Sequence, residues 1–134
     1  MSNKKLGNSF ETDFCQLLYR HGFWVHNFVQ SKDGQPADVI AVKNGKAYLI
    51  DCKVCSNNYF SLGRMEANQI NAMTLWEEVG NGNGLFAIWL AMDNSILMLT
   101  KQECLSLLKE QKQIGFKKLK QLGKHIDKWL GEVE

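Results

Sequence analysis

Apolar and polar positions change period several times along the chain, and these changes mark the predicted elements. From Asn3 to His21 the apolar residues recur every three or four positions, as they do on one face of a helix. The segment Phe23 to Gln30 is rich in aromatic and β-branched residues, which favours a strand. Two apolar runs then flank Asn44-Gly45, a dipeptide typical of hairpin turns in which both central residues have positive φ. The pattern predicts a hairpin over Asp38–Val54.

The second half of the chain continues with further alternation of helical and extended patterns. After an irregular segment at Cys55–Arg64 we expect, in order, a helix at Met65–Val79, strands at Leu85–Met92 and Ser95–Leu99, and helices at Lys101–Lys112 and Phe116–Leu130. The order α-β-β-β-α-β-β-α-α predicts an α/β fold, a mixed sheet with helices on both faces.

Length and composition indicate one domain with a real core. The chain has 134 residues, of which 45% are hydrophobic. No apolar run approaches the roughly 18 residues of a membrane span, and the N-terminus lacks the apolar core of a signal peptide. We therefore expect a soluble protein of the cytoplasm, a phage protein acting in its host's cytoplasm being included in that expectation.

The four cysteines are compatible with a reducing compartment. Cys52 and Cys55 form a C-x-x-C pair, which raises the question of zinc. A tetrahedral zinc site needs a second ligand pair at similar spacing, and the sequence has none. Buried or incidental thiols are the better interpretation.

Positive charge is concentrated near the C-terminus. The net charge is +2, but residues 99–130 hold eight lysines against three acids, so this basic segment carries +5. Four lysines project to one side of the last predicted helix: Lys117, Lys120, Lys124 and Lys128. They form either the solvated face of an amphipathic helix or a stripe that contacts phosphates without reading sequence. Loop residues offer further candidates for phosphate contact, namely Ser31, Lys32 and Arg64.

Two acids and a lysine are predicted on one face of the hairpin. Folding the chain about Asn44-Gly45 places Asp38 opposite Asp51, with Cβ atoms about 4.5–5.5 Å apart. Lys53 lies two residues further along and shares that face. Facing carboxylates repel, and a hard cation between them removes the repulsion. The set predicts a metal-dependent phosphodiesterase. The alternative is a solvated strand end in which Lys53 is an ordinary partner of Asp51.

Glu11 also has two interpretations. It lies at the border of the apolar stripe of the first helix, where an acid is favourable near the helix N-terminus. The same position could aim its carboxylate towards the acids of the hairpin.

With Pro36-Ala37-Asp38 followed by Asp51-Cys52-Lys53, the chain resembles the PD-(D/E)xK nuclease superfamily and its restriction-endonuclease-like fold. It is most similar to the Holliday junction resolvases of the archaeal and RecU types, through the early Glu11, the stretch Tyr59–Leu62 and the helix that opens with Glu66-Ala-Asn-Gln69. The resemblance covers about Gly7 to Thr100. The short loop Ser31–Pro36 leaves no room for the stalk of RecU-type enzymes, a departure that concerns junction recognition and not nuclease chemistry.

This resemblance implies a role for each matching residue. Glu11, Asp38 and Asp51 would bind Mg²⁺, with Mn²⁺ as a substitute, Lys53 would be catalytic, and Gln69 would support the site. The implied substrate is DNA, in particular a four-way junction. Because such a junction has two-fold symmetry, we expect a homodimer that presents two sites.

Two other functions stay open at this point. The same chemistry could act on other DNA, as in a nicking or restriction-like nuclease. A subunit with the nuclease fold could also bind DNA without cutting it. The intact set of Asp38, Asp51 and Lys53 favours catalysis, since a non-catalytic module gains nothing from opposed acids.

Overall fold

The computed structural model describes residues 3–28 and 37–133. Helix α1 (Asn3–Arg20) is followed by strand β1 (Trp24–Asn27) and by the hairpin strands β2 (Val39–Lys43) and β3 (Lys46–Cys55). The rest of the chain forms, in order, β4 (Tyr59–Ser61), a 3-10 turn (Leu62–Arg64), α2 (Ala67–Glu78), β5 (Leu85–Leu90), β6 (Ser95–Thr100), α3 (Lys101–Glu110), β7 (Gln113–Gly115), α4 (Phe116–Leu122), β8 (Lys124–His125) and α5 (Ile126–Val133).

The main sheet is mixed, in agreement with the predicted fold class. Its strand order is β1-β2-β3-β5-β6-β8, and β3 runs parallel to β5 while the other neighbours are antiparallel. The parallel step requires a crossover, which contains α2. Strands β4 and β7 pair separately as a small antiparallel ribbon, called here the β4–β7 ribbon.

The hairpin forms in the predicted register. Asn44 and Gly45 both have positive φ, at 53° and 77°, as a two-residue turn of this type requires. Pairing runs from Lys43 opposite Lys46 to Val39 opposite Ile50. Asp38 lies one step beyond the last pair, so its neighbour across the hairpin is Asp51.

Apolar side chains cover both faces of this hairpin, so β3 is a central strand. On one face α1 and α5 pack against β2 and β3, through Phe10, Phe14, Leu18, Trp129, Leu130, Val39, Ala41 and Ile50. On the other face α2, α3 and the β4–β7 ribbon pack together, through Met73, Cys104, Leu107, Phe60, Ile114 and Leu49. The acids of the hairpin therefore border a buried interior.

The predicted last helix, Phe116–Leu130, is wrong as a continuous element. Helix α4 ends at Leu122, and the chain then pairs with β6 as β8 before α5 begins. Gly123 allows this close approach, because a Cβ at that position would lie 3.0 Å from Leu97 Cβ. The lysines at 117, 120, 124 and 128 are thus divided among three elements and form no single helical stripe.

Two other expectations change in detail. The segment Cys55–Arg64, expected to be irregular, contains β4 and the 3-10 turn. The predicted strand Phe23–Gln30 is shorter, and its last two residues lie outside the described part of the chain.

No helix within residues 3–28 or 37–133 has the length and apolar character needed to cross a membrane.

Candidate active site

Asp51 is the most deeply buried acid of the cluster, with 0% of the residue exposed. Gln69 Nε2 donates a hydrogen bond to its Oδ1 at 3.0 Å. Lys53 Nζ lies 2.9 Å from Oδ2 as an ion pair, and within residues 3–28 and 37–133 no other group donates a hydrogen bond to this oxygen. Burial raises the pKa of Asp51 to about 8, against the opposing effect of Lys53 and with a further increase from Asp38.

Asp38 is fixed at the open end of the hairpin. Its Oδ2 accepts a hydrogen bond from the Cys52 amide at 2.7 Å, and its own amide donates to the Ile50 carbonyl at 3.2 Å. The Asp38 side chain thus accepts the hydrogen bond of the Cys52 amide in place of a backbone carbonyl of β2. Sequence reasoning does not find the Cys52 amide as a partner, because a backbone donor leaves no signature in the residue type.

Glu11 approaches this pair from α1, where the residue is only 9% exposed. Its pKa is raised to about 7, first by burial and then by the charge of Asp38 and a hydrogen bond with it, while Lys53 lowers it. Asp38 raises the pKa of both Glu11 and Asp51, so it interacts with each of them. Of the two interpretations of Glu11, the structure shows the one in which it faces the hairpin's acids.

Gln69 links the cluster to α2. While its Nε2 donates to Asp51, its Oε1 accepts a hydrogen bond from the Glu66 amide at 3.3 Å. Reversing the amide would turn both contacts into repulsions, so the two bonds fix one orientation. The side chain predicted to support the site therefore does contact Asp51.

The donor atoms of this cluster suit a hard divalent cation. All are carboxylate oxygens, which Mg²⁺ and Mn²⁺ prefer, and Asp51 Oδ2 has no hydrogen-bond donor among the residues that the structure describes. No three His, Cys, Asp or Glu side chains in the described ranges converge as a ready-made metal cage. Asp38 interacts electrostatically with Glu11 on α1 and with Asp51 on β3, so the three acids belong to one charged cluster.

The predicted phosphate-contacting residues have varied surroundings. Lys120 is paired with Asp93, and Lys124 with Glu132. Arg64 Nη1 donates to the Val54 carbonyl at 2.5 Å, so it braces the end of β3. Lys117 and Lys128 are exposed. Ser31 and Lys32 lie outside the described residues.

A comparison with protein-family models identifies the family to which the chain belongs. The model described as archaeal Holliday junction resolvase (Hjc) matches residues 2–127. The chain belongs to the archaeal Holliday junction resolvase family. The Hjc family consists of endodeoxyribonucleases that hydrolyse DNA and that generally depend on a divalent metal. The predicted family and enzyme class are thereby confirmed, and the substrate of this Hjc-family chain is a DNA junction.

A solved structure supports the fold independently. The chain is similar to Archaeoglobus fulgidus Hjc, described as a Holliday junction resolvase from an archaeal hyperthermophile, with a TM-score of 0.66. The two share 20% sequence identity over 93% of this chain and 95% of the other. No match was found among curated proteins. The structural likeness confirms the restriction-endonuclease-like fold in a single domain.

Proposed function

We propose that Glu11, Asp38 and Asp51 hold Mg²⁺, which Mn²⁺ can replace, and that Lys53 and Gln69 complete the centre that cuts four-way DNA junctions. The observation that supports this most directly is Asp51. A carboxyl group with 0% exposure beside a second acid is costly to ionise even with a lysine 2.9 Å away, and a metal cation would offset the remaining charge.

Each side chain has a separate task in this centre. A bound divalent cation supplies a lowered pKa for water and neutralises charge on the scissile phosphate. Lys53, whose ammonium lies 2.9 Å from Asp51, would donate to a phosphate oxygen as negative charge develops on it. Gln69 donates a hydrogen bond to Asp51 Oδ1, so Oδ2 would be the oxygen available to a bound cation. By resemblance to the superfamily, cleavage leaves a 5′-phosphate and a 3′-hydroxyl.

The proposed active form is a homodimer. A single chain offers one such centre, whereas resolution of a junction requires two cuts related by two-fold symmetry. A C₂ pair of chains would present two equivalent centres. The proposed location is the cytoplasm, with which the free state of Cys15, Cys52, Cys55 and Cys104 is compatible.

Cleavage of a synthetic four-way junction, compared with linear duplex of the same sequence, tests the function. With Mg²⁺ we expect paired symmetric cuts in the junction, no cuts in the duplex, and no cuts with Asp51→Asn. Asp127→Asn is the matched control, because that side chain is 86% exposed and far less constrained. Cutting of duplex would indicate the nicking or restriction-like alternative, and binding without cutting would indicate a non-catalytic subunit. Sedimentation of the free protein tests the dimer separately.

A further inference from the structure

An aromatic and basic cleft lies beside the β4–β7 ribbon. It has a volume of about 530 Å³ and is lined by Asn58, Tyr59, Gly115, Phe116, Lys117 and Lys118, called here the ribbon cleft. The Tyr59 residue is 59% exposed, although it belongs to a strand. Its ring crosses the backbone of Gly115, with Cε1 3.9 Å from the place where a Cβ would stand. The cleft therefore presents an aromatic surface that the fold itself leaves uncovered.

The backbone beneath Tyr59 is held firmly. Its amide donates to Asn57 Oδ1 at 3.0 Å, and the Phe116 amide donates to the Asn58 carbonyl at 2.8 Å. The Cys55 thiol donates to the Asn57 carbonyl at 3.3 Å. An exposed ring on a fixed backbone has little conformational entropy to lose when a ligand stacks on it. This is the geometry of a preorganised stacking platform.

The two lysines of the cleft have no counter-charge within the described ranges. Lys117 and Lys118 are exposed and make no ion pair there, whereas nearby Lys120 is paired with Asp93. Unpaired cations beside an exposed aromatic ring match the chemistry of a nucleotide, which offers a phosphate and a flat base. Lys120 and Lys124, in contrast, already have carboxylate partners within the protein.

The ribbon cleft lies close to the catalytic strand. Cys55, the last residue of β3, has its Sγ 3.7 Å from the Tyr59 carbonyl. From Lys53 to Cys55 the extended chain advances about 7 Å, and one DNA strand advances about 3.4 Å per nucleotide. Cys55 also belongs to the same core as Phe60 and Ile114, on the face where Lys53 points. A strand cut beside Lys53 would reach Tyr59 within a few nucleotides.

We propose that the ribbon cleft binds an unstacked nucleotide at the branch point of the DNA substrate, with Tyr59 stacking on the base and Lys117 and Lys118 contacting flanking phosphates. This inference rests on the DNA-cleaving function proposed above. It assigns to Tyr59 and Lys118 a role that the resemblance to resolvases does not imply. Such a contact would favour branched over continuous duplex DNA, because only a branch exposes a base face at low cost.

Metal-free binding of a four-way junction and of matched duplex, measured by fluorescence anisotropy across a salt series, tests the inference. Tyr59→Ser should weaken junction binding about tenfold, in the range of one lost base–aromatic stack, and should affect duplex less. Tyr59→Phe should bind as the wild type does. Lys117→Gln with Lys118→Gln should reduce the slope of log K against log salt by about 1.4 to 1.8, as expected for two phosphates. The double change of Lys120 and Lys124 to Gln removes the same charge and should alter the slope less.

Several results would overturn the proposal. Tyr59→Ser with unchanged junction affinity would exclude stacking, and equal slope changes in the two double variants would show a general charge effect. Thermal melting of each variant detects a loss of fold. If the wild type bound no junction, the proposed function would fail as well; if it bound and cut while the cleft variants did the same, the failure would concern the cleft alone. A 2-aminopurine base at the branch gives a direct readout, since stacking on the ring at position 59 should quench its fluorescence in the wild type and in Tyr59→Phe but not in Tyr59→Ser.

Discussion

Replacement of Asp51 by Asn should stabilise the metal-free protein at alkaline pH while abolishing cleavage. The native carboxyl is wholly buried, and its pKa is raised from 3.8 to about 8. The folded protein therefore holds a proton that the unfolded chain releases. This contribution to stability is fully present below pH 3.8 and is lost progressively as pH rises to about 8. Asn keeps an acceptor for Gln69 and has no proton to lose.

The size of the effect follows from that pKa difference. A shift of about four units corresponds to about 5 kcal/mol, which is the upper limit of the gain at pH 8. Relaxation around the ionised group reduces this amount, and the variant also deprives Lys53 of its partner at 2.9 Å. We therefore expect a net gain of about 1–3 kcal/mol at pH 8 and a much smaller one at pH 5.

Urea unfolding in EDTA at pH 5, 6, 7 and 8 measures this difference directly. Asp127→Asn serves as the control and should stay within about 0.5 kcal/mol of the wild type at each pH. Adding Mg²⁺ at pH 8 should stabilise the wild type by an amount that rises with the logarithm of the Mg²⁺ concentration above its Kd, as binding to the folded state requires, and should leave Asp51→Asn nearly unchanged. If Asp51→Asn were equally destabilising at pH 5 and pH 8, Asp51 would be a structural ion-pair partner and the reasoning would be refuted.

Three further expectations can be checked separately. Lys53→Ala should slow junction cleavage at least about 10²-fold while binding persists, as when one transition-state donor is lost; normal turnover would make it an ion-pair partner only. Glu11→Gln should impair Mg²⁺-dependent cleavage without unfolding, and an unchanged Mg²⁺ titration would remove it from the site. Gly84→Ala should cost about 1–3 kcal/mol in urea unfolding, since its Cβ would lie 2.5 Å from Met73 Cβ, whereas Gly82→Ala meets nothing within 4 Å.

The central hairpin could be predicted because its information is local. Asn44-Gly45 dictates the turn, the turn dictates the register, and the register places Asp38 beside Asp51. The approach of Gln69 to Asp51 came from family resemblance alone, because it depends on how α2 crosses over the sheet. The reach of Glu11 towards Asp38 is likewise a tertiary contact that helical periodicity could only suggest.

The C-terminal third was harder to predict because its strands are too short to show a period. Strand β8 has two residues and β7 has three. The pattern of Phe116, Leu119, Leu122, Ile126 and Trp129 satisfies a single helix, and helical spacing alone does not show that Gly123 packs against Leu97. The sequence also does not show that Lys120 pairs with Asp93 and Lys124 with Glu132. Both lysines therefore looked available for phosphate contact.

The two hydrogen bonds of Gln69 make position 69 unusually selective among amino acids. Glutamate would offer the Glu66 amide an acceptor, but it would set a carboxylate against Asp51 in place of the donor at 3.0 Å. Asparagine has both groups and is one methylene too short to reach in both directions. Leucine or methionine fills the space and leaves the acid without its donor. The side-chain amide of Gln69 also accepts the hydrogen bond from Glu66 that closes the first turn of α2. Fraying of that helix end would therefore remove the hydrogen-bond donor of Asp51. We expect a mutation that destabilises this end of α2 to reduce DNA cleavage.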